Sequence, residues 1–155
     1  MQGQGTPVYS FLDTYASITG PGGSAQLASG SGAAEEGITI EPIEDNVATQ
    51  YGADGSWAHS LNPVKAYRVT CRLLKTSPTN ALLDSMYALQ KTSSLLTGQN
   101  KFNLNNVSSG DVFTGQGGAF GKHPANSYAK VAGMIDWEFI VGSGDWMLGG
   151  GLLPV

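Results

Sequence analysis

The side chains best equipped for chemistry in this sequence are one cysteine, Cys71, two histidines, His59 and His123, and the adjacent carboxylates Glu35 and Glu36. A lone thiol could be a nucleophile, but Cys71 alternates with Tyr67, Val69 and Leu73 on one apolar parity and reads as a packed thiol. The histidines follow no metal-ligand spacing, and one cysteine cannot complete a zinc cluster, so each reads as a surface or loop-anchoring residue. Neighbouring strand residues point to opposite faces, which sets Glu35 and Glu36 apart for acid–base work. Gly115-Gln116-Gly117-Gly118 lacks the rest of a dinucleotide fingerprint and precedes no helix. There is no Gly-Lys-Ser/Thr phosphate loop and no nucleophile elbow. The sequence therefore reads as a non-enzyme without cofactor or metal.

The elements that carry these residues are mainly strands around one helix. Leu73 to Ser94 holds the helix, over about residues 78–93. Ser77 suits its N-cap and Pro78 its first turn. Leu82, Leu83, Met86 and Leu89, with Tyr87 at the edge, form one apolar stripe. Lys91 suits the negative end, and Gly98 lies just past the stop. Val8 to Thr19 predicts a strand covered on both faces, ended by Gly20-Pro21-Gly22-Gly23. Ser24 to Ala34 reads as a loop or weak strand. Gly37 to Glu44 predicts a strand that Pro42 places at an edge or bulge. Gly52-Ala53-Asp54-Gly55 sits between β-prone stretches around Tyr51 and Trp57, so Asp45 to Asn62 reads as an extended hairpin.

Val64 to Lys75 is the plainest strand: Arg68, Thr70 and Arg72 face away from its apolar side. Lys101 to Val107 and Asp111 to Phe120 follow, around Ser108-Ser109-Gly110, then a loop through Pro124. Lys130 to Val141 alternates, with Val131, Ile135, Trp137, Phe139 and Val141 on one face. If it neighbours Val64 to Lys75, Asp136 and Glu138 pair with Arg68 and Arg72. Gly142 to Val155 reads as a Gly-rich tail that packs on another element or subunit.

A chain of 155 residues, 41% hydrophobic, suits one domain with one core. Charged residues make up only 13%, against about 25% in an average domain. Such a surface fits either coverage by other subunits or a long-looped β protein with a neutral exterior. No apolar run reaches the roughly 18 residues of a membrane span, no secretory signal is visible, and a single cysteine fits a reducing cytoplasm. Up to Val64 there are seven acids and no lysine or arginine; from Lys65 on, eight bases and five acids. That is no nucleic-acid grip, which needs clustered bases. An acidic surface would repel phosphate; a solvated acidic loop region is the plain alternative.

The order of several short motifs carries a resemblance. Tyr9-Ser10-Phe11-Leu12-Asp13, Ile18-Thr19-Gly20-Pro21-Gly22-Gly23, Ala34-Glu35-Glu36-Gly37-Ile38-Thr39-Ile40-Glu41 and Gly52-Ala53-Asp54-Gly55-Ser56 come first. His59-Ser60-Leu61, Leu73-Leu74-Lys75-Thr76-Ser77-Pro78, Gly98-Gln99-Asn100, Lys122-His123-Pro124 and Ser127-Tyr128-Ala129-Lys130 follow. From about Tyr9 to Phe139 the chain resembles the tail tube protein of contractile-tailed bacteriophages, a family whose fold is similar to the type VI secretion tube. The resemblance implies a β-sandwich or barrel with one flanking helix. It also implies homohexameric rings stacked into a hollow tube, a continuous inner barrel of donated strands, and a virion location after assembly in the host cytoplasm. The implied partners are the sheath, tape measure, baseplate and terminator proteins, with DNA passing through unbound and no membrane insertion.

Under that reading Glu35, Glu36, Glu41, Glu44, Asp45 and Asp54 are expected at the lumen or its ring-to-ring rim. Arg68, Arg72, Asp136, Glu138, Tyr51 and Trp57 are expected at subunit contacts, with Asp45 to Asn62 stacking rings. Two alternatives stay open: another tail ring, such as a terminator or baseplate component, and a β-sandwich glycan- or receptor-binding module with Tyr51 and Trp57 as its platform.

Overall fold

The computed structural model describes residues 13–29 and 35–149. Nine strands and one helix run in the order β1 (Thr14–Gly20), β2 (Gly23–Ser29), β3 (Glu35–Pro42), β4 (Val47–Tyr51), β5 (Trp57–Leu61), β6 (Tyr67–Leu74), α1 (Thr79–Gln90), β7 (Asn100–Asn106), β8 (Asp111–Lys122) and β9 (Met134–Met147). Seven strands form one antiparallel sheet, ordered β2-β1-β7-β8-β9-β6-β3, and β4 pairs with β5 as a separate ribbon. The large sheet curls into a half-barrel. The strand that Pro42 consigns to an edge is indeed an edge, because proline cannot donate to a second neighbour.

Alternation decides which face turns inward. Val69, Cys71 and Leu73 of β6 and Ile135, Trp137, Phe139 and Val141 of β9 are buried together with Ile18, Phe102, Phe113 and Phe120. Burying such side chains contributes about 1.5–3 kcal/mol each, which is why the sheet bends around them. Helix α1 adds Leu83 and Met86 to this core. Its start falls one residue later than the Ser-Pro signal, with Pro78 at the N-cap position, and the Ser77 hydroxyl accepts the Thr79 N–H at 3.3 Å. Its other end is tied to the sheet by Gln90, whose side-chain amide accepts the Phe120 N–H and donates to the Phe120 carbonyl, at 2.9 and 3.2 Å.

The structure refines several expectations. Leu82 is 51% exposed; of the helical stripe Leu83 and Met86 are buried and Tyr87 packs partly buried against the core, because the helix meets β2 and β8 along a narrow seam. Of the loop or weak strand expected from Ser24, the strand is what forms, over Gly23–Ser29, with Ala25, Leu27 and Ala28 buried beside α1. Tyr15 stands 46% exposed, so the outer face of β1 is open within one chain. Residues 130–133 are not strand, and Val131 is 78% exposed. The parts of the proposed strands and loops at 8–12 and 30–34 lie outside the described residues.

The Gly-rich tail expected to pack on another element or subunit does so as a strand; its last part, residues 150–155, lies outside the described residues. Gly142 to Met147 continues β9 and pairs with Val112 to Gln116 of β8. Inward-facing positions are odd-numbered up to Val141 and even-numbered at Gly144, while β8 switches between Gly115 and Gly118 at the same level. Gly117 takes φ +66° there, a conformation other residues resist. Both strands change parity together, so simple alternation ends while the ladder does not.

Candidate assembly surfaces

The β4–β5 ribbon leaves the sheet after Pro42 and returns before Tyr67, residues that pair with each other. Its base is knotted by asparagines: Asn46 Nδ2 donates to the carbonyls of Asn62 and Val64 at 2.9 and 2.8 Å, and Asn62 Nδ2 donates to Glu44 Oε2 at 2.9 Å. Its tip is a turn in which the Asp54 carboxylate accepts both the Ser56 hydroxyl and the Ser56 N–H, at 2.6 and 3.0 Å. Those bonds, the hydroxyl first, hold the Asp54 carboxyl below its ordinary value of 3.8.

Cross-strand register puts Val47 opposite Leu61, Thr49 opposite His59 and Tyr51 opposite Trp57. With period two these six share one face, and the Thr49 hydroxyl meets His59 Nδ1 at 2.8 Å. Val47, Tyr51, Trp57 and Leu61 are 52–79% exposed. An isolated two-stranded ribbon is marginal in water, and this one turns an aromatic face to solvent.

The outer face of the curled sheet carries an ion-pair row. Arg72 Nε lies 2.9 Å from Asp136 Oδ1, directly across from it in the β6–β9 register. Arg68 sits between Glu138, at 3.4 Å, and Glu41, at 3.7 Å. All five side chains are part-exposed, so each pair contributes under about 1 kcal/mol. Their effect is to place a carboxylate beside each of these two guanidinium groups. The pairs form within one chain.

The six acids expected at the lumen or its rim occupy several places on one chain. Glu41 is on the outer face of β3, Glu44 and Asp45 are at the ribbon base, and Asp54 is at its tip. Glu35 pairs by register with Leu73, at the opposite end of β3 from Pro42, with Glu36 next to it.

A recess of about 250 Å³ lies between α1 and the loop after β8, lined by Asn80, Asp84, His123, Pro124, Asn126 and Trp137. His123 Nε2 meets Asp84 Oδ1 at 2.9 Å, and Trp137 Nε1 donates to Asn80 Oδ1 at 2.9 Å. Lys75 Nζ lies 3.7 Å from the Tyr128 ring centre and donates to the Ser127 carbonyl. This recess was not legible in the sequence; the lone His123 was its only signal. A second hollow, about 150 Å³, opens between Ile38 and Ile40 of β3 and Thr14, Leu104 and Trp146. Among the described residues, no group of three or more His, Cys, Asp or Glu could hold a metal, and no helix is long and apolar enough to cross a membrane.

Three solved structures share this fold. The cap that terminates the anti-feeding prophage tube superposes with a TM-score of 0.58 at 8% identity, covering 93% of each chain. The sheath/tube terminator of the extracellular contractile injection system PVC gives 0.57 at 9% identity over 92% of this chain and 96% of that one. The sheath–tube complex of the same system gives 0.54 at 9% identity, over 87% and 88%. No curated protein matches by sequence. A family model does, described as the bacteriophage PhiTE tail tube protein and spanning residues 6–149. A match over nearly the whole length shows the family: this chain belongs to the PhiTE-type bacteriophage tail tube proteins.

Proposed function

We propose that six copies of this chain close into a ring and that rings stack into the inner tube of a contractile tail, through which DNA leaves the particle. The coarser statement is secure: the family is structural, not enzymatic, and the chain is a tail component of the virion. The observation that carries the proposal is the pair of strand edges, β2 and β3, that end the described sheet without a further strand. Unpaired edges invite strands from other chains, and closing them across six neighbours removes the liability. A head-to-tail contact that closes makes a ring, and a translation between rings makes a tube. Sheath, tape measure, baseplate and terminator proteins are the partners this role requires, with assembly in the host cytoplasm.

The cap and terminator likenesses favour a second reading, in which the chain forms one ring that ends a tube. Electron microscopy of purified protein separates the two. Long hollow tubes support the first, isolated rings the second, and a persistent monomer refutes both.

The bore is assigned to the outer sheet face, with Glu41 on the wall, Glu44, Asp45 and Asp54 at one rim, and Glu35 and Glu36 toward the other. Carboxylates beside Arg68 and Arg72 then keep phosphates from sticking. Replacing Glu41→Gln and Glu138→Gln together removes both carboxylates beside Arg68. Tubes should still form, but should retain DNA severalfold more at low salt and deliver it more slowly. Tubes that stay as indifferent to DNA as before place this face elsewhere.

A further inference from the structure

The acidic residues of the first half of the chain are not one patch, but the folded protein sorts most of its charge by strand end. Antiparallel pairing brings together Asp13 before β1, Asp111 and Asp145 in the β8–β9 ladder, and the ribbon with Glu44, Asp45 and Asp54. One lysine, Lys65, stands among these six acids, its Nζ 3.9 Å from Asp145. The opposite ends of the same strands hold Lys75 after β6, Lys101 in β7, Lys122 at the end of β8, Lys130 before β9 and Lys91 after α1. The acids there are Glu35 and Glu36, placed by register, Asp84, which His123 already engages, Asp136, which Arg72 engages, and Glu138, opposite Lys122 in the β8–β9 register. One end of the molecule is therefore strongly acidic, and the other holds five of the six lysines.

Apolar chemistry follows the same axis. The acidic end bears the ribbon, with its exposed Val47, Tyr51, Trp57 and Leu61. The basic end bears the 250 Å³ recess, walled by Trp137 and Pro124 and flanked by a loop whose Tyr128 and Val131 are 85% and 78% exposed. A hollow of that size suits one large aromatic side chain, and aromatic anchors in pockets dominate association energy.

We propose that the ribbon of one copy docks on the lysine-rich end of the next, with Trp57 entering the recess between α1 and residues 123–133. Asp45 and Asp54 then face Lys122 and Lys130 of that second copy. Opposite charges at the two ends favour head-to-tail stacking and disfavour head-to-head or tail-to-tail pairs, where like charges would meet. This rests on the stacking reading above and names the surfaces that carry it.

The test uses the full-length chain at about 0.15 M ionic strength, where charges beyond about 8 Å are screened and only close contacts count. Reversing the acidic end, Asp45→Lys with Asp54→Lys, should leave rings whose tubes are at least tenfold shorter. Reversing the basic end, Lys122→Glu with Lys130→Glu, should do the same. All four substitutions in one chain should restore tubes, and Trp57→Ser should prevent lengthening while leaving the ring intact. Tubes of normal length from either single-end variant, or no recovery in the fourfold variant, overturn the proposal. Wild-type protein that makes neither rings nor tubes refutes instead the tube reading on which it rests.

Discussion

Trp137→Ala should lower the stability of the chain by about 3–5 kcal/mol, the usual cost of deleting a large buried aromatic. The indole is 2% exposed. Its ring centre lies 5.9 Å from that of Phe120 and 5.8 Å from that of His123, so its loss empties the joint between sheet, helix and the loop after β8. It also removes the partner of Asn80 Oδ1, whose amide in turn donates to the Leu74 carbonyl at 2.9 Å. The start of α1 is thus anchored through the tryptophan. Trp137→Phe keeps most of the packing and breaks only the hydrogen bond, so it should cost less, about 1–3 kcal/mol. Chemical denaturation of unassembled protein measures both. A Trp137→Ala chain within about 1 kcal/mol of wild type, the range of an ordinary substitution, would show that this joint does not hold the fold.

Gly144→Val should be nearly as damaging, through crowding rather than a cavity. A side chain at this position would begin 2.8 Å from Phe113 Cζ and 2.8 Å from Tyr67 Cδ2. Those two rings meet edge to face with centres 5.2 Å apart, and Phe113 is fully buried. They must separate to admit even a methyl group, and forced overpacking of this kind costs about 1–3 kcal/mol or more. Gly133→Val is the matched control, because a Cβ at Gly133 meets nothing within 4 Å. Thermal melting of the two variants should therefore differ by several degrees; equal melting points would mean that the β9 extension yields without resistance.

Both predictions concern parts of the chain with unequal sequence signals. Trp137 sits in a regular alternation with Ile135, Phe139 and Val141, and its inward position follows from period two alone. The Asp54-Gly55 turn and the edge position implied by Pro42 are equally local, which is why they survive folding unchanged, and the Ser77-Pro78 signal places the helix start to within one residue. The pairing of Arg72 with Asp136 needed one further assumption, that β6 and β9 are neighbours, and the register supplies it.

Other features had no local signature. Gly142 to Met147 reads as a Gly-rich tail rather than a strand because its alternation is interrupted; only the simultaneous parity switch in β8 keeps the two strands paired. Leu82 belongs to the helical stripe by spacing, yet the width of the seam against β2 and β8 decides that it stays outside. The charge pattern is the clearest case. Read along the chain, it divides an acidic beginning from a basic remainder, because sequence distance is the only distance available. Folding into antiparallel strands returns the chain to the same two ends again and again, so residues as distant as Asp13 and Asp145 finish at one end while Glu35 and Glu44, nine positions apart, finish at opposite ones. Residue types and periods choose the strands and the helix; which charges become neighbours is set by strand order and register, quantities that exist only once the sheet has formed.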